Sequence, residues 1–199
     1  DENAAASPTE ELAMKYVKLI LADQPVGPYR LGGFSYGGIL AFETAQILRQ
    51  QGHEVDLVLL LDTHLAGQKP GWVLRQIGKL KRPGVKAILV ELAEKLGLMA
   101  RLKPPVYGEL TSTEERLIAI RRGAYETAMR HYQPEVYSDQ VLLVRTSQSS
   151  DFAGFSASLW TNFCPNMTVL DVTTDHRGLM EAPCTEKIGA AIDELISNS

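Results

Sequence analysis

Gly32-Gly33-Phe34-Ser35-Tyr36-Gly37-Gly38 is the stretch on which the reading of this chain turns. It places Gly33, Ser35 and Gly37 in the pattern G-x-S-x-G. Before it, Tyr29-Arg30-Leu31 reads as the end of a short strand. After it, Ile39 to Gln51 reads as a helix, with Leu40, Ile47 and Leu48 on an apolar face and Glu43, Gln46 and Arg49 toward water. A serine on a tight turn between strand and helix needs small neighbours two residues away on each side. They let the backbone reverse and hold the hydroxyl out at the top of a sheet. The helix N-terminus then aims its free N–H groups and the positive end of its dipole at the spot where an oxyanion would develop. A bare G-x-S-x-G also describes an ordinary glycine-rich turn. The strand and helix on the required sides are what favour a nucleophile.

Upstream, Ser7-Pro8-Thr9-Glu10 opens a helix, with serine as N-cap, proline at the first helical position and glutamate three residues on from the cap. Its predicted buried stripe is Leu12, Tyr16, Leu19 and Ile20, and Gln24-Pro25-Val26-Gly27-Pro28 stops it. Downstream, the turn Gln51-Gly52-His53-Glu54 leads into Val55 to Leu61, a nearly unbroken apolar run ending in Asp62. Such a run predicts a strand covered on both faces, as in a parallel sheet between helices. The order helix, strand, elbow, helix, strand is that of an α/β fold.

From Leu65 to Tyr132 the pattern is helical, broken by Pro70-Gly71, Pro83-Gly84 and Pro104-Pro105. Val85, Ile88, Leu89, Leu92 and Leu96 make one apolar stripe, and Ser112-x-x-Glu115 opens a last helix through Met129. No strand pattern is visible there, so the segment reads as a helical lid over a substrate channel. Lys79, Lys81, Arg82 and Lys86 form a basic cluster on it, read as a solvated helix end, with attraction of an acidic partner or a phosphate as the alternative. The sheet pattern resumes with a strand over Val141 to Arg145, a loop with a short helix from Asp151 to Trp160, and a last strand over Met167 to Val172. Asp175-His176-Arg177-Gly178 follows that strand, and Ile188, Ala191, Ile192, Leu195 and Ile196 mark a closing helix. The expected layout is one domain over residues 1–199, with an α/β core in 7–64 and 133–199 and the lid at about 65–132.

The totals exclude several classes. A chain of 199 residues with 45% apolar and 22% charged residues is ordinary for a single globular domain. Its net charge of −4 gives no reason to expect nucleic acid as partner. No apolar run approaches the ~20 residues of a membrane span. The first residues lack the basic, apolar, small-residue order of a signal peptide, which favours a cytoplasmic location. Cys164 and Cys184 read as reduced packing residues, with a single disulfide as the alternative. No Cys/His spacing points to zinc, and no bound metal or cofactor is expected.

A serine hydroxyl is a poor nucleophile near neutrality. It needs a base within reach, and the base needs an acidic residue to hold its tautomer. On an α/β fold built this way, the order along the chain is serine, acid, histidine, each just past the carboxyl end of a strand. His53 precedes a strand, at the wrong end of the sheet. His64 follows Asp62 too closely to face it easily, and His131 ends a lid helix. His176 follows the last strand, where the base belongs. For the acid, Asp62 ends the second strand and Asp151 follows the strand after the lid. Asp175 adjoins the histidine and should point away from it. Pattern alone leaves Asp62 and Asp151 open.

Gly-Pro-Tyr-Arg-Leu-Gly-Gly-Phe-Ser-Tyr-Gly-Gly at 27–38, followed by Ala41-Phe42-Glu43 and Leu60-Leu61-Asp62-Thr63, resembles the terminal thioesterase domains of polyketide synthases and nonribosomal peptide synthetases. Asp175-His176 with Met180 four residues after the histidine is similar to their histidine motif. The resemblance runs from about Pro8 onward, strong at the elbow and weak in the lid. It implies an α/β-hydrolase fold, a mostly parallel sheet flanked by helices with a helical lid insertion. It implies a Ser35–Asp62–His176 triad, because the family's nucleophile and acid lie about as far apart as Ser35 and Asp62. Stand-alone editing thioesterases place the acid near the Asp151 position.

The activity implied is release of an acyl or peptidyl chain from the phosphopantetheine arm of a carrier protein, through an acyl-serine, to water or to an internal nucleophile. That is chemistry of antibiotic and other secondary-metabolite biosynthesis. Alternatives are a stand-alone editing thioesterase or serine esterase, and a hydrolase-fold interaction module that no longer catalyses. The backbone N–H of Tyr36 is the oxyanion donor in hand. The family's domains begin with further strands and a loop that supplies a second donor. The expectation is therefore that roughly 40 or more residues precede Asp1 in the intact protein, with two or more strands beside Tyr29 to Leu31.

Overall fold

The computed structural model describes residues 8–66, 123–125, 127–147 and 155–197. The expectations that rest on Ser7, on the lid stripe Val85 to Leu96, on the basic cluster Lys79 to Lys86 and on Asp151 lie outside those residues. Residues 1–66 and 128–199 form one compact unit, and residues 67–127 form a second. Of the second, 123–125 and 127 are helical, with the Thr127 hydroxyl donating to the Gly123 carbonyl at 2.8 Å.

In the first unit the elements run α1 (Pro8–Asp23), β1 (Tyr29–Phe34), α2 (Tyr36–Gln50), β2 (Val55–Leu61), β3 (Leu65–Ala66), β4 (Val141–Thr146), β5 (Phe155–Ser156), β6 (Met167–Val172) and α3 (Cys184–Ser197). Short 3-10 turns lie at Ser158–Asn162 and Gly178–Met180. Strands β1, β2, β4 and β6 form one sheet in the order β1-β2-β4-β6, every pair parallel. All four carboxyl ends therefore fall on one edge, where Leu61 pairs with both Phe34 and Val144, and Thr146 with Val172.

The apolar runs of β2 and β4 are explained by burial on both faces. Val58, Leu60, Val141 and Leu143 pack with Val17 of α1, with Ile39, Phe42 and Leu48 of α2, and with Trp160. Leu57, Leu142 and Val144 face the other way, against Val172, Leu179 and Ile188 of α3. Alternation along each strand thus feeds two cores rather than one core and solvent.

The structure corrects four local expectations. Strand β1 does not end at Leu31 but continues through Gly32, Gly33 and Phe34, which pair with Leu59, Leu60 and Leu61. Helix α2 begins at Tyr36, immediately after Ser35, rather than at Ile39. The buried stripe of α1 is Thr9, Ala13 and Val17, while Tyr16 and Leu19 are exposed. Ile20 and Leu21 are partly buried and pack against the same core as Val17, so the buried face is turned relative to the predicted stripe. Leu65–Ala66 is a strand, paired antiparallel with Phe155–Ser156 through Leu65 to Ser156 and Ala66 to Phe155, in a segment that showed no strand pattern. Among the described residues β1 pairs on one side only, and a groove of about 280 Å³ lined by Tyr16, Ile20, Leu31 and Leu40 lies between it, α1 and α2.

Candidate active site

Ser35 stands between β1 and α2 with φ 56° and ψ −123°, a left-handed conformation that a non-glycine residue adopts only under constraint. Two bonds impose it. The Ser35 N–H donates to the Leu61 carbonyl at 2.8 Å, and the Gly38 N–H donates back to the Ser35 carbonyl at 3.1 Å. Contact requires glycine at 33 and 38 but not at 37, where a β-carbon would meet no atom within 4 Å, so the expected need for a small residue two places after the serine is not met there. A β-carbon on Gly33 would collide with the Gly37 carbonyl, and one on Gly38 would collide with the Thr63 hydroxyl. Tyr36 is the first residue of α2, so its amide belongs to the turn whose N–H groups have no helical acceptor. Its phenol lies 3.2 Å from the hydroxyl of Thr9, which is fully buried at the start of α1.

Asp62 follows β2 as Ser35 follows β1, and it too has positive φ, 45°. Its N–H donates to the Val144 carbonyl at 2.9 Å. Its side chain is fully buried, and Oδ2 lies 2.6 Å from Nδ1 of His176, whose ring is 45% exposed. Oδ1 accepts the Thr146 hydroxyl at 3.2 Å and the Thr146 N–H at 3.4 Å. The imidazole stacks on Phe34, the residue before Ser35, with ring centres 4.2 Å apart and planes 28° from parallel. Residues after three different strands are thereby gathered at the carboxyl edge of the sheet. Asp151 lies outside the described residues.

The remaining candidates are placed elsewhere. Asp175 turns away from the imidazole, as its adjacency to His176 predicts, and its Oδ1 accepts the N–H groups of Arg177 and Gly178 at 3.1 and 2.7 Å. His64 Nδ1 lies 3.2 Å from the Asp62 backbone carbonyl and not at its carboxylate. His53 packs its ring edge-on to Tyr29, and His131 is exposed at the end of a helical segment. Both cysteines are buried and free, and burial pushes the Cys164 thiol up to about 12, which leaves it without thiolate character near neutrality.

Three residues that hold this site escaped the sequence reading. Thr146 is the last residue of a strand that reads as ending at Arg145, and a threonine at a strand end carries no signal of its own. Phe34 sits inside the motif, at a position the pattern writes as x. Trp160 donates its indole N–H to the Thr63 carbonyl at 2.9 Å, next to Asp62, from a segment that reads as a loop with a short helix and carries the 3-10 turn Ser158–Asn162.

The face of α2 away from the sheet also differs from expectation. Gln46 is buried, with its Nε2 donating to the Glu135 carbonyl at 3.0 Å, and the Tyr132 hydroxyl donates to Glu43 Oε2 at 2.8 Å. Burial raises the Glu43 carboxyl above its ordinary value. The Tyr132 bond opposes that shift, and Glu10 and Glu135 add to it. Burial, then Glu43, raises the Tyr132 phenol well above its usual range.

Comparison with known proteins bears on this arrangement. The family description "Thioesterase domain" matches residues 1–105, more than half of the chain. An inactive atromentin synthetase of Paxillus involutus is 33% identical over 196 residues, covering 86% of this chain and 20% of that protein. A non-reducing polyketide synthase of Gibberella zeae is 54% identical over 48 residues, covering 24% of this chain and 2% of that protein. This chain therefore spans only a small part of the curated relatives it matches. The crystal structure of the NocB thioesterase domain in covalent complex with a fluorophosphonate nocardicin G analogue aligns at TM-score 0.65 and 27% identity, covering 98% of this chain and 78% of that one. No helix among the described residues is long and apolar enough to cross a membrane. The chain belongs to the thioesterase-domain family, with the α/β-hydrolase architecture of the thioesterase domains of nonribosomal peptide and polyketide synthases.

Proposed function

We propose that this chain releases an acyl or peptidyl group from a carrier-protein phosphopantetheine thioester, with Ser35 as nucleophile, His176 as base and Asp62 as the acid that orients it. The observation that carries the reading is the 2.6 Å approach of Asp62 Oδ2 to His176 Nδ1, beside a serine held at positive φ. A neutral imidazole that donates from Nδ1 keeps the lone pair of Nε2 for the serine proton. Ser35 Oγ then attacks the thioester carbonyl, and its proton passes to Nε2. The Tyr36 N–H at the start of α2 faces the developing oxyanion. Collapse expels the pantetheine thiol, which takes the proton from His176, and leaves an acyl-serine. Water or an internal hydroxyl or amine of the chain, deprotonated by His176, then attacks the acyl carbon; the bond to Ser35 Oγ breaks, the serine regains its proton from His176, and a free acid or a macrocycle leaves. Residues about 65–132 act as the lid that admits or excludes water. The partner is an acyl or peptidyl carrier protein in the cytoplasm, and the steps as written call on no metal or cofactor.

Support comes from two directions. The NocB thioesterase domain was captured covalently by a fluorophosphonate, a reagent that reports an activated serine. The Asp62 carboxylate, directly after β2, lies 2.6 Å from His176, while the rival Asp151 lies outside the described residues. The test is fluorophosphonate labelling followed by peptide mass spectrometry, run beside turnover of an acyl N-acetylcysteamine thioester. The adduct is expected on the peptide containing Ser35. An adduct that persists in Ser35→Ala, or no labelling of a folded protein, overturns the assignment and returns the chain to an esterase of another nucleophile or to a non-catalytic module.

A further inference from the structure

We infer that Thr146 is a positioning residue for the reaction, holding the Asp62 carboxylate so that Oδ2 points at His176. The inference rests on the reading of Asp62 as the orienting acid and adds to it a residue outside the triad. A carboxylate on a residue just past its strand end can turn about its last side-chain torsion and tilt its plane away from the imidazole. Here Asp62 has left the sheet, with positive φ, and β2 pairs with β4 only as far as Leu61 with Val144. Strand β4 runs two residues further, and Thr146 brings both its N–H and its hydroxyl to Oδ1, at 3.4 and 3.2 Å. A third bond, from the Asp62 N–H to the Val144 carbonyl, fixes the backbone to the same strand.

Thr146 is 5% exposed, so no water replaces the hydroxyl without a rearrangement of the buried strand end. The two oxygens of Asp62 therefore have separate tasks. One is anchored to the neighbouring strand, and the other meets the imidazole. A half-turn of the carboxylate only exchanges two equivalent oxygens, whereas any smaller rotation breaks both bonds at Oδ1, so Thr146 fixes the plane of the carboxylate and with it the direction of the oxygen that meets the imidazole.

The experiment is a double-mutant cycle on the protein, read as kcat and KM for an acyl N-acetylcysteamine thioester, with thermal unfolding of each variant measured alongside. Thr146→Val keeps the shape and the N–H but removes the hydroxyl. It is expected to lower kcat about tenfold with KM nearly unchanged, the effect of one lost bond to a charged group. Thr146→Ser restores the hydroxyl and is expected to restore kcat. In an Asp62→Asn background the same Thr146→Val change should alter kcat by no more than about twofold, because the group it positions no longer acts. Wild-type kcat in Thr146→Val, an equal loss in both backgrounds, or no recovery in Thr146→Ser overturns the inference. If instead Asp62→Asn itself turns over normally, the reading of Asp62 falls and this inference falls with it. The two failures are separated by which single variant keeps its activity.

Discussion

Ser35 and Asp62 share a backbone feature that ordinary strand ends lack. Each directly follows a parallel strand, and each is held at positive φ, 56° and 45°. Strain of this kind persists where the surroundings over-determine it, and at both residues an N–H bond to the neighbouring strand does so. If the two act together, Ser35→Ala should cost on the order of a thousandfold or more in kcat/KM, since members of a triad act as a unit. Asp62→Asn should cost up to about ten-thousandfold, with Asp151→Asn far milder, both measured on one thioester substrate. A reversed ranking of the two aspartates would place the acid where stand-alone thioesterases carry it. At this scale the sequence was informative where chemistry requires a residue type in a fixed local frame. Ser35 sits in such a frame, and His176 follows the last strand. Asp62 and Asp151 both follow strands, and pattern offers no way to choose between them, because the choice depends on which carboxylate reaches His176 in space, a contact 114 residues apart in the chain for Asp62.

Among the elements, α2 has three tasks. Its first turn faces the serine, and its buried side packs Ile39, Phe42, Ala45 and Leu48 on the sheet. Its third side binds the chain on its way back to β4 through Tyr132 to Glu43 and Gln46 to Glu135. Sequence reading sent Glu43 and Gln46 to water because they are polar and lie opposite the apolar stripe. Their partners are 86 to 89 residues away in the chain, so nothing local announces them. The raised Glu43 carboxyl has a consequence for stability. A carboxyl that holds its proton more tightly folded than unfolded stabilises the fold below its ordinary value of 4.5, and this contribution is lost as pH rises through the folded value. Glu43→Gln keeps an acceptor for the Tyr132 hydroxyl and removes the titration. The variant should therefore show a higher Tm than the parent at about pH 7, with the difference closing as pH falls below the ordinary carboxyl value, measured by thermal scans across pH. A constant offset at all pH values would mean that packing, not ionisation, sets the difference.

The whole first unit is a sheet between two cores, and the two are unequal. The α1–α2 side holds the large rings, with Phe42 centred 4.7 Å from Trp160 and 5.4 Å from Tyr137. Phe42 is fully buried, so Phe42→Ala should lose about 3–5 kcal/mol in urea unfolding, a large share of a domain's usual ~5–15 kcal/mol. A loss below about 1 kcal/mol would show that the neighbouring rings close the space. The α/β class and the two-faced burial were legible because period and composition carry them. The order β1-β2-β4-β6 was not, since parallel neighbours are joined through distant crossovers and leave no mark in the intervening sequence. The small β3–β5 pair escaped for a simpler reason, as two residues are too few for any period to register.

The contact between Gly38 and the Thr63 side chain ties the helix that starts at the serine to the residue after the aspartate. It sets a constraint on descent. A lineage that keeps its acid after β2 cannot enlarge position 38 unless position 63 shrinks. Across related chains the two positions should therefore vary in concert, a larger residue at 38 accompanied by glycine, alanine or serine at 63. An alignment of related chains would show that coupling at a glycine that takes no part in the chemistry.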